Sequence, residues 1–313
     1  WPYMKGKNIA QLLLQTADKN LPNYSEVTHG QGLLDLDQAT RPVGDLGISL
    51  TGRTGATMPV SGSLSANIDT GALASVSAVD DFDRDFTLDL TPATGAKAVP
   101  LAQSINAAQD GWGASTANLS TKQIGDFRFG SSENGADLTL GYTDKISKNL
   151  DLTLSYTKTD TNPWVDATGM WGETQGSQTV DASVKYKFSK ETYANVGMMN
   201  TKTEFKPGLV TNISDVQAVY AGAGYDNKGL NLYAGIKPYA IGGKLDLRIP
   251  TGVAEDGTMQ YAESSSNIKS KLQGYASVNY TDNLDDLTST RYSAGVDSTG
   301  EHSVGIQFTH QFW

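Results

Sequence analysis

The sequence predicts a mainly β chain: an antiparallel transmembrane β-barrel of about ten to twelve strands, preceded by a short helical segment. Three observations predict it. From about Ile124 onward apolar and polar residues alternate with a period of two, so each run has one oily and one polar face. The connections between these runs alternate between tight turns and long polar loops. No apolar run approaches the ~20 residues of a spanning helix, and the longest, Ile9 to Leu14, is far shorter. A chain of this kind can cross a bilayer only with strands closed on themselves, because backbone amides find no water in hydrocarbon.

Length and charge narrow the classes further. The chain has 313 residues, no Cys and a formal net charge of −10. The length predicts about two structural units at the usual ~150 residues per domain. The absence of Cys excludes a disulfide scaffold, a thiolate metal site and a Cys nucleophile. The acidic balance argues against a nucleic-acid partner, since phosphate binding needs clustered Lys and Arg. The first residue is Trp1 rather than Met, which predicts a start inside a longer protein.

The first unit, residues 1–42, is helical. Ile9, Leu12, Leu13, Thr16 and Ala17 fall at helical spacing between Lys5 and Lys19, with Gln11, Gln15 and Asp18 on the other side. Pro22 and Asn23 end this helix. A second helix is expected near Asp35, with Leu36 and Ala39 inward, stopping before Pro42. His29-Gly30-Gln31-Gly32 between them reads as a tight turn. The strings Asn8-Ile9-Ala10-Gln11-Leu12-Leu13-Leu14-Gln15-Thr16-Ala17-Asp18 and Gly30-Gln31-Gly32-Leu33-Leu34-Asp35-Leu36-Asp37-Gln38-Ala39 together resemble the C-terminal end of subtilisin-like serine peptidase domains. The resemblance covers about forty residues. It implies that residues 1–42 are the remnant of an α/β domain whose helix ends in a Thr-Ala pair and whose last helix follows a Gly-x-Gly turn.

The same resemblance implies that the catalytic machinery is elsewhere. The Gly-Thr-Ser-x-Ala-x-Pro motif that carries the family's nucleophile does not occur. A Ser nucleophile needs a base within hydrogen-bond reach and a group to orient that base. Only His29, His302 and His310 are present, the first in the closing turn and the others in the last strand, none beside a Gly-x-Ser elbow. The sequence therefore assigns no catalytic, cofactor-binding or metal-ligating residue, and no cofactor.

Residues 43–120 read as a β-rich connector with a short lumen helix. Leu64, Ile68, Leu73, Val76 and Val79 recur as in short strands. In Asp80-Asp81-Phe82-Asp83-Arg84-Asp85-Phe86 the alternating carboxylates have a calcium-like look. They lack the Gly and distal Glu of a calcium loop, and Arg84 among them predicts an ion-paired turn. Arg84-Asp85-Phe86 also resembles a connector found in bacterial subtilases that carry C-terminal barrels. Val99, Leu101, Ala102, Ile105 and Ala108 predict a short helix, and its place before the first barrel strand resembles the lumen plug of autotransporters.

Residues 121–313 are the expected barrel. Strands are predicted to start near Ile124, Ala136, Leu150, Gln178, Thr192, Ser214, Leu230, Lys271, Thr288 and His302. This count treats Leu230 to Pro250 as one long strand, kinked at Pro238 and Gly242-Gly243, and it puts both barrel ends on the periplasmic side. Tyr142, Tyr156, Phe188, Tyr280 and Phe312 sit at strand ends on the oily face, where aromatic rings suit a membrane interface. The chain closes on Phe308-Thr309-His310-Gln311-Phe312-Trp313, which resembles the C-terminal signal of outer-membrane proteins.

The function expected from these features is that of the anchoring and translocation barrel of a subtilisin-like autotransporter, whose parent protein hydrolyses peptide bonds. Its partners would be outer-membrane lipid, the barrel assembly machinery and, through the missing protease part, a peptide substrate. The location would be the bacterial outer membrane, with the passenger at the surface or secreted. Two alternatives compete. One is a porin-like channel. The other is a soluble β-sandwich accessory domain of a secreted subtilase, in which Trp112, Trp164 and Trp171 could form a glycan platform.

Overall fold

A computed structural model of the chain describes residues 1–110, 122–132, 137–285 and 287–310. It is mainly β and antiparallel: a small helical unit, a large sheet, and a cap that draws on both the connector and the long connections of that sheet.

The first part is a small helical unit. α1 (Gly6–Gln15) and α3 (Leu36–Thr40) fall where the apolar spacing puts them, and Asp35 caps α3 by accepting from the Gln38 amide at 2.9 Å. A third helix, α2 (Glu26–His29), ends in the glycine turn and was not expected from the sequence. Gly30 and Gly32 have φ of +59° and +112°, and a side chain on Gly32 would overlap the Asp18 carbonyl, so that turn requires glycine. The stripe of α1 is partly covered: Leu12 is buried, Leu13, Thr16 and Ala17 are half-buried and Ile9 is exposed. Ala39 is buried as expected, but Leu36, expected inward, is exposed, as are Leu14, Leu33 and Leu34.

The large sheet has eleven strands. In chain order they are β1 (Lys122–Ile124), β2 (Phe127–Ser131), β3 (Leu138–Ser147), β4 (Leu150–Thr159), β5 (Gly172–Lys187) and β6 (Thr192–Pro207). They continue as β7 (Val216–Asn227), β8 (Leu230–Gly242), β9 (Gly274–Asn283), β10 (Thr288–Asp297) and β11 (His302–His310). Each pairs antiparallel with its neighbour in this order. With eleven strands, β1 and β11 run in the same direction, and no pairing joins them among the described residues. The Gln311 to Trp313 end of the predicted signal lies outside those residues.

Short turns gather at one end of the sheet: residues 125–126, 148–149, 188–191 and 228–229. Residues 160–171, 208–215 and 243–273 form the long connections at the other end. These long connections are not open loops. Val165–Ala167 pairs with Leu64–Ala66 of the connector, and Val210–Ile213 pairs with Lys244–Val253, which pairs with Met259–Asn267. A four-stranded sheet of the connector, centred on Gly47–Ser49 and Val76–Val79, packs with them. Together they make a cap whose core includes Ile48, Leu73, Trp171, Leu209, Leu245 and Leu247, all fully buried.

This corrects the expectation of one strand from Leu230 to Pro250. β8 ends at Gly242, and Gly243, with φ of +134°, turns the chain so that Leu245, Leu247 and Ile249 enter the cap. Their period-two pattern was read correctly, but alternation does not say which sheet a strand joins.

The buried ion pair Arg84–Asp80 ties the helical unit to the cap (2.6 Å). The Asp80 carboxylate also accepts from the amides of Val43, Phe82 and Arg84, at 3.1, 2.9 and 3.0 Å. Arg84 donates to the carbonyls of Ala39 and Arg41 at the end of α3. Its guanidinium lies 4.7 Å from the Trp1 ring centre. The ion-paired turn expected in residues 80–86 is thus also the joint between two parts of the molecule. Beside it, the Tyr3 hydroxyl donates to Asp85; burial, with Asp85 near it, pushes the Tyr3 phenol well above its usual range.

Candidate functional site

The two faces of the large sheet have inverted polarity, and adjacent residue rows make this concrete. Thr139, Thr157, Thr179 and Thr201 lie in register across β3 to β6, and all four are buried. Their hydroxyls pair across strands at 3.1 Å (Thr139 with Thr157) and 3.0 Å (Thr179 with Thr201). The neighbouring row on the other face holds Leu140, Tyr156 and Val180. Leu140 and Val180 are exposed. The pattern continues around the sheet: Val196, Met198, Val278, Tyr292 and Ile306 are exposed, while Asp181, Asn231, Lys237, Asn279 and Asp297 are buried. On β11, Val304, Ile306 and Phe308 are 81%, 72% and 65% exposed.

Aromatic rings collect on the exposed face toward the short-turn end. Phe127 meets Tyr142 at 4.9 Å between ring centres, and Tyr186 meets Phe188 at 5.2 Å. Tyr280 lies opposite Tyr292 on β9 and β10.

The buried face encloses a helix. α4 (Leu101–Asp110) lays Leu101 and Ile105 against Tyr193 of β6, Tyr233 of β8 and Tyr275 of β9. The Tyr275 hydroxyl donates to the Ser104 carbonyl at 3.0 Å. Gly295 of β10 leaves the space that Ile105 fills, since a Cβ there would overlap the Ile105 side chain. The tyrosines themselves sit in notches cut by glycine on the next strand: Tyr193 over Gly224, Tyr220 over Gly197 and Tyr233 over Gly222. The Tyr220 hydroxyl reaches both oxygens of Asp181, at 2.9 and 3.0 Å.

A charged latch holds the mouth of this interior. Lys237 of β8 is almost fully buried, and its ammonium donates to Asp297 Oδ2 at 2.7 Å, Glu301 Oε2 at 3.1 Å and the Val99 carbonyl at 3.2 Å. Glu301 Oε1 accepts from the Leu101 amide at 3.3 Å, at the first turn of α4, where a carboxylate suits both the free amide and the helix dipole. β8, the β10–β11 turn and the segment entering α4 thus meet at one ammonium group. A buried charge requires such pairing, because unpaired it is strongly destabilising. Beside the mouth, residues 96–98, Gln103 and Asn106 face residues 161–163 across a cavity of about 580 Å³.

The helix expected before the first strand is therefore present and lies on the polar face. Lys237, Asp297 and Glu301 were not singled out from the sequence, and nothing local marks them, because 60 and 64 positions separate the partners. The glycan platform is not formed. Trp164 and Trp171 are 5% and 0% exposed, with the Trp164 indole donating inward to Thr201 at 3.3 Å, and Trp112 lies outside the described residues. His29 contacts Ser25 and Thr28 in its own turn, His302 lies at the start of β11, and the side chain of His310 lies outside the described residues. No family model matches the chain, and no curated protein or solved structure matches it either.

Proposed function

We propose that the large sheet is the wall of a closed β-barrel in a bacterial outer membrane, which anchors and delivers an upstream subtilisin-like unit. One observation carries this reading: the sheet's exposed face is apolar and its buried face is polar. In water that arrangement is unfavourable, at roughly 25 cal/mol for each Å² of apolar surface left exposed. In a bilayer it is the arrangement a barrel requires, with lipid outside and a polar lumen within. A soluble sandwich needs a second sheet over the oily face, and none covers it among the described residues. Closure belongs to the proposal and follows from it, since strand edges left open in hydrocarbon would be unpaired. Antiparallel closure needs an even number of strands, so it requires a strand that runs opposite to both β1 and β11.

In this reading the short turns face the periplasm, where the barrel assembly machinery would act, and the cap faces outward. α4 plugs the lumen, which favours delivery and anchoring over a porin-like channel. The exposed Ile9, Leu14, Leu33 and Leu34 fit a slice of a larger core and so support the subtilisin-like assignment; peptide hydrolysis would belong to that upstream unit. The test is migration on unboiled detergent gels. A folded barrel shifts on heating and stays with the membrane after alkaline extraction. A chain that shows no shift and washes off in buffer ends the proposal. Planar-bilayer recordings test the plug, with little conductance expected from the intact chain.

A further inference from the structure

The inner wall of β8 and β9 holds polar atoms that nothing among the described residues satisfies. Asn231 and Asn279 face each other across these strands, and Ser277 is next along the same face. Their residues are 5%, 1% and 7% exposed. Asn231 Oδ1, Asn279 Nδ2 and Ser277 Oγ have no hydrogen-bond partner among the described residues. Asn231 spends its Nδ2 on the Tyr193 hydroxyl at 3.2 Å, so its acceptor alone is free. On the same strand, Tyr275 engages the Ser104 carbonyl of the plug, while the positions beyond it toward the short turns are the unsatisfied ones. Buried polar atoms without partners reduce stability, and most native ones are paired. Apolar residues at these positions would relieve that cost.

We propose that this strip binds the main chain of a polypeptide passing through the lumen, an assignment that rests on the delivery role proposed above. The free groups are complementary to the N–H and C=O that one residue of an extended chain turns to the same side. The Asn279 amide donates to a carbonyl and the Asn231 carbonyl accepts from an N–H. Recognition through the peptide group ignores side chains, as a conduit for a whole domain requires, and Tyr193, Tyr233 and Tyr275 supply apolar rings beside it. The strip is idle while α4 fills the lumen and engaged when an extended chain replaces it.

The test uses the full chain with its upstream unit in cells, comparing Asn231→Leu/Asn279→Leu with a Thr157→Val/Thr179→Val control. Two quantities are read: the rate at which residues 1–42 become accessible to external protease, and the resistance of the folded band to heat. The proposal expects the Asn pair variant to be at least as heat-resistant as the parent and to deliver roughly fivefold more slowly, the worth of about one net hydrogen bond. Greater resistance with unchanged delivery overturns it and leaves the barrel reading intact. A parent chain that shifts on heating yet never exposes residues 1–42 removes the delivery role, and this strip's role with it. Should the variant fail to assemble, N279C and the outward-facing V278C decide. These 313 residues contain no Cys, so an upstream segment arrested in transit and carrying a single thiol should cross-link to position 279 and not to 278. Equal or absent cross-linking at the two positions refutes the assignment.

Discussion

The cap and the large sheet are built from the same kinds of residue in opposite arrangements. In the cap, Trp171, Leu245 and Leu247 are enclosed by other apolar groups and charged side chains lie outside, apart from the Arg84–Asp80 pair. In the sheet, Val180, Met198 and Ile306 lie outside and Thr201, Lys237 and Asp297 are enclosed. One chain cannot satisfy the hydrophobic effect both ways in one solvent. The difference teaches that the two regions suit different surroundings, which in the reading proposed above are water for the cap and lipid for the belt of the sheet.

The largest break in this comparison should come from the enclosed charges. Lys237→Met leaves the buried Asp297 without its cation and frees the half-exposed Glu301, and a loss of about 3–5 kcal/mol is expected. Urea unfolding in lipid bilayers measures it, and bilayer recordings of the same variant should show conductance rising as the segment entering α4 is released. Next, Val196→Arg on the exposed face of β6 sharpens the contrast of solvents. It should cost roughly 2–4 kcal/mol in a bilayer, against no more than about 0.5 kcal/mol at a water-exposed position. A near-zero effect in lipid would erase the distinction between the two regions.

A smaller effect is expected where the sheet accommodates its tyrosines. Gly224→Val pushes a side chain into the Tyr193 ring and should cost about 1–3 kcal/mol by overpacking. Tyr193→Ala in the same background should recover part of that loss, as a double-mutant cycle would show. The smallest effect lies in the cap. Hydrogen bonds from Ser265 and Asn212 hold the Asp246 carboxyl below its usual range. Its folded pKa is lower than its unfolded one, so its contribution is complete above about pH 4. That contribution fades as pH falls through the folded value. Asp246→Asn should flatten this acid limb slightly, as solvent screening keeps the term small.

What could be read from the sequence followed from what each residue faces. The β3 to β11 strands alternate because one side meets lipid in the proposed reading and the other an interior, and Leu150 to Tyr156 or Val304 to Phe308 show it without any partner being known. The helix before β1 was legible for the same reason: Leu101 and Ile105 share a stripe. The latch was not legible, since Lys237, Asp297 and Glu301 meet only once strands far apart in the chain are in place. The cap hairpin was misassigned as an extension of β8 because Leu245 and Leu247 alternate as β8 does, and only the Gly243 turn separates them. In the helical unit the stripe of α1 was legible, but not that Leu36 of α3 lies exposed.

The pairing of Leu64–Ala66 with Val165–Ala167 has a kinetic consequence. The connector strand finds its mate only about a hundred residues later in the chain, on a loop that takes shape after β4 and β5 have come together. Contacts so distant in sequence are slow to form, because the intervening chain must be ordered first. The cap is thereby the last piece to set. Until the strands beneath it have assembled, the connector strand lacks its mate; in the delivery role proposed above, the segment that precedes them would stay thin enough to be threaded, and its consolidation on the far side would close the way back.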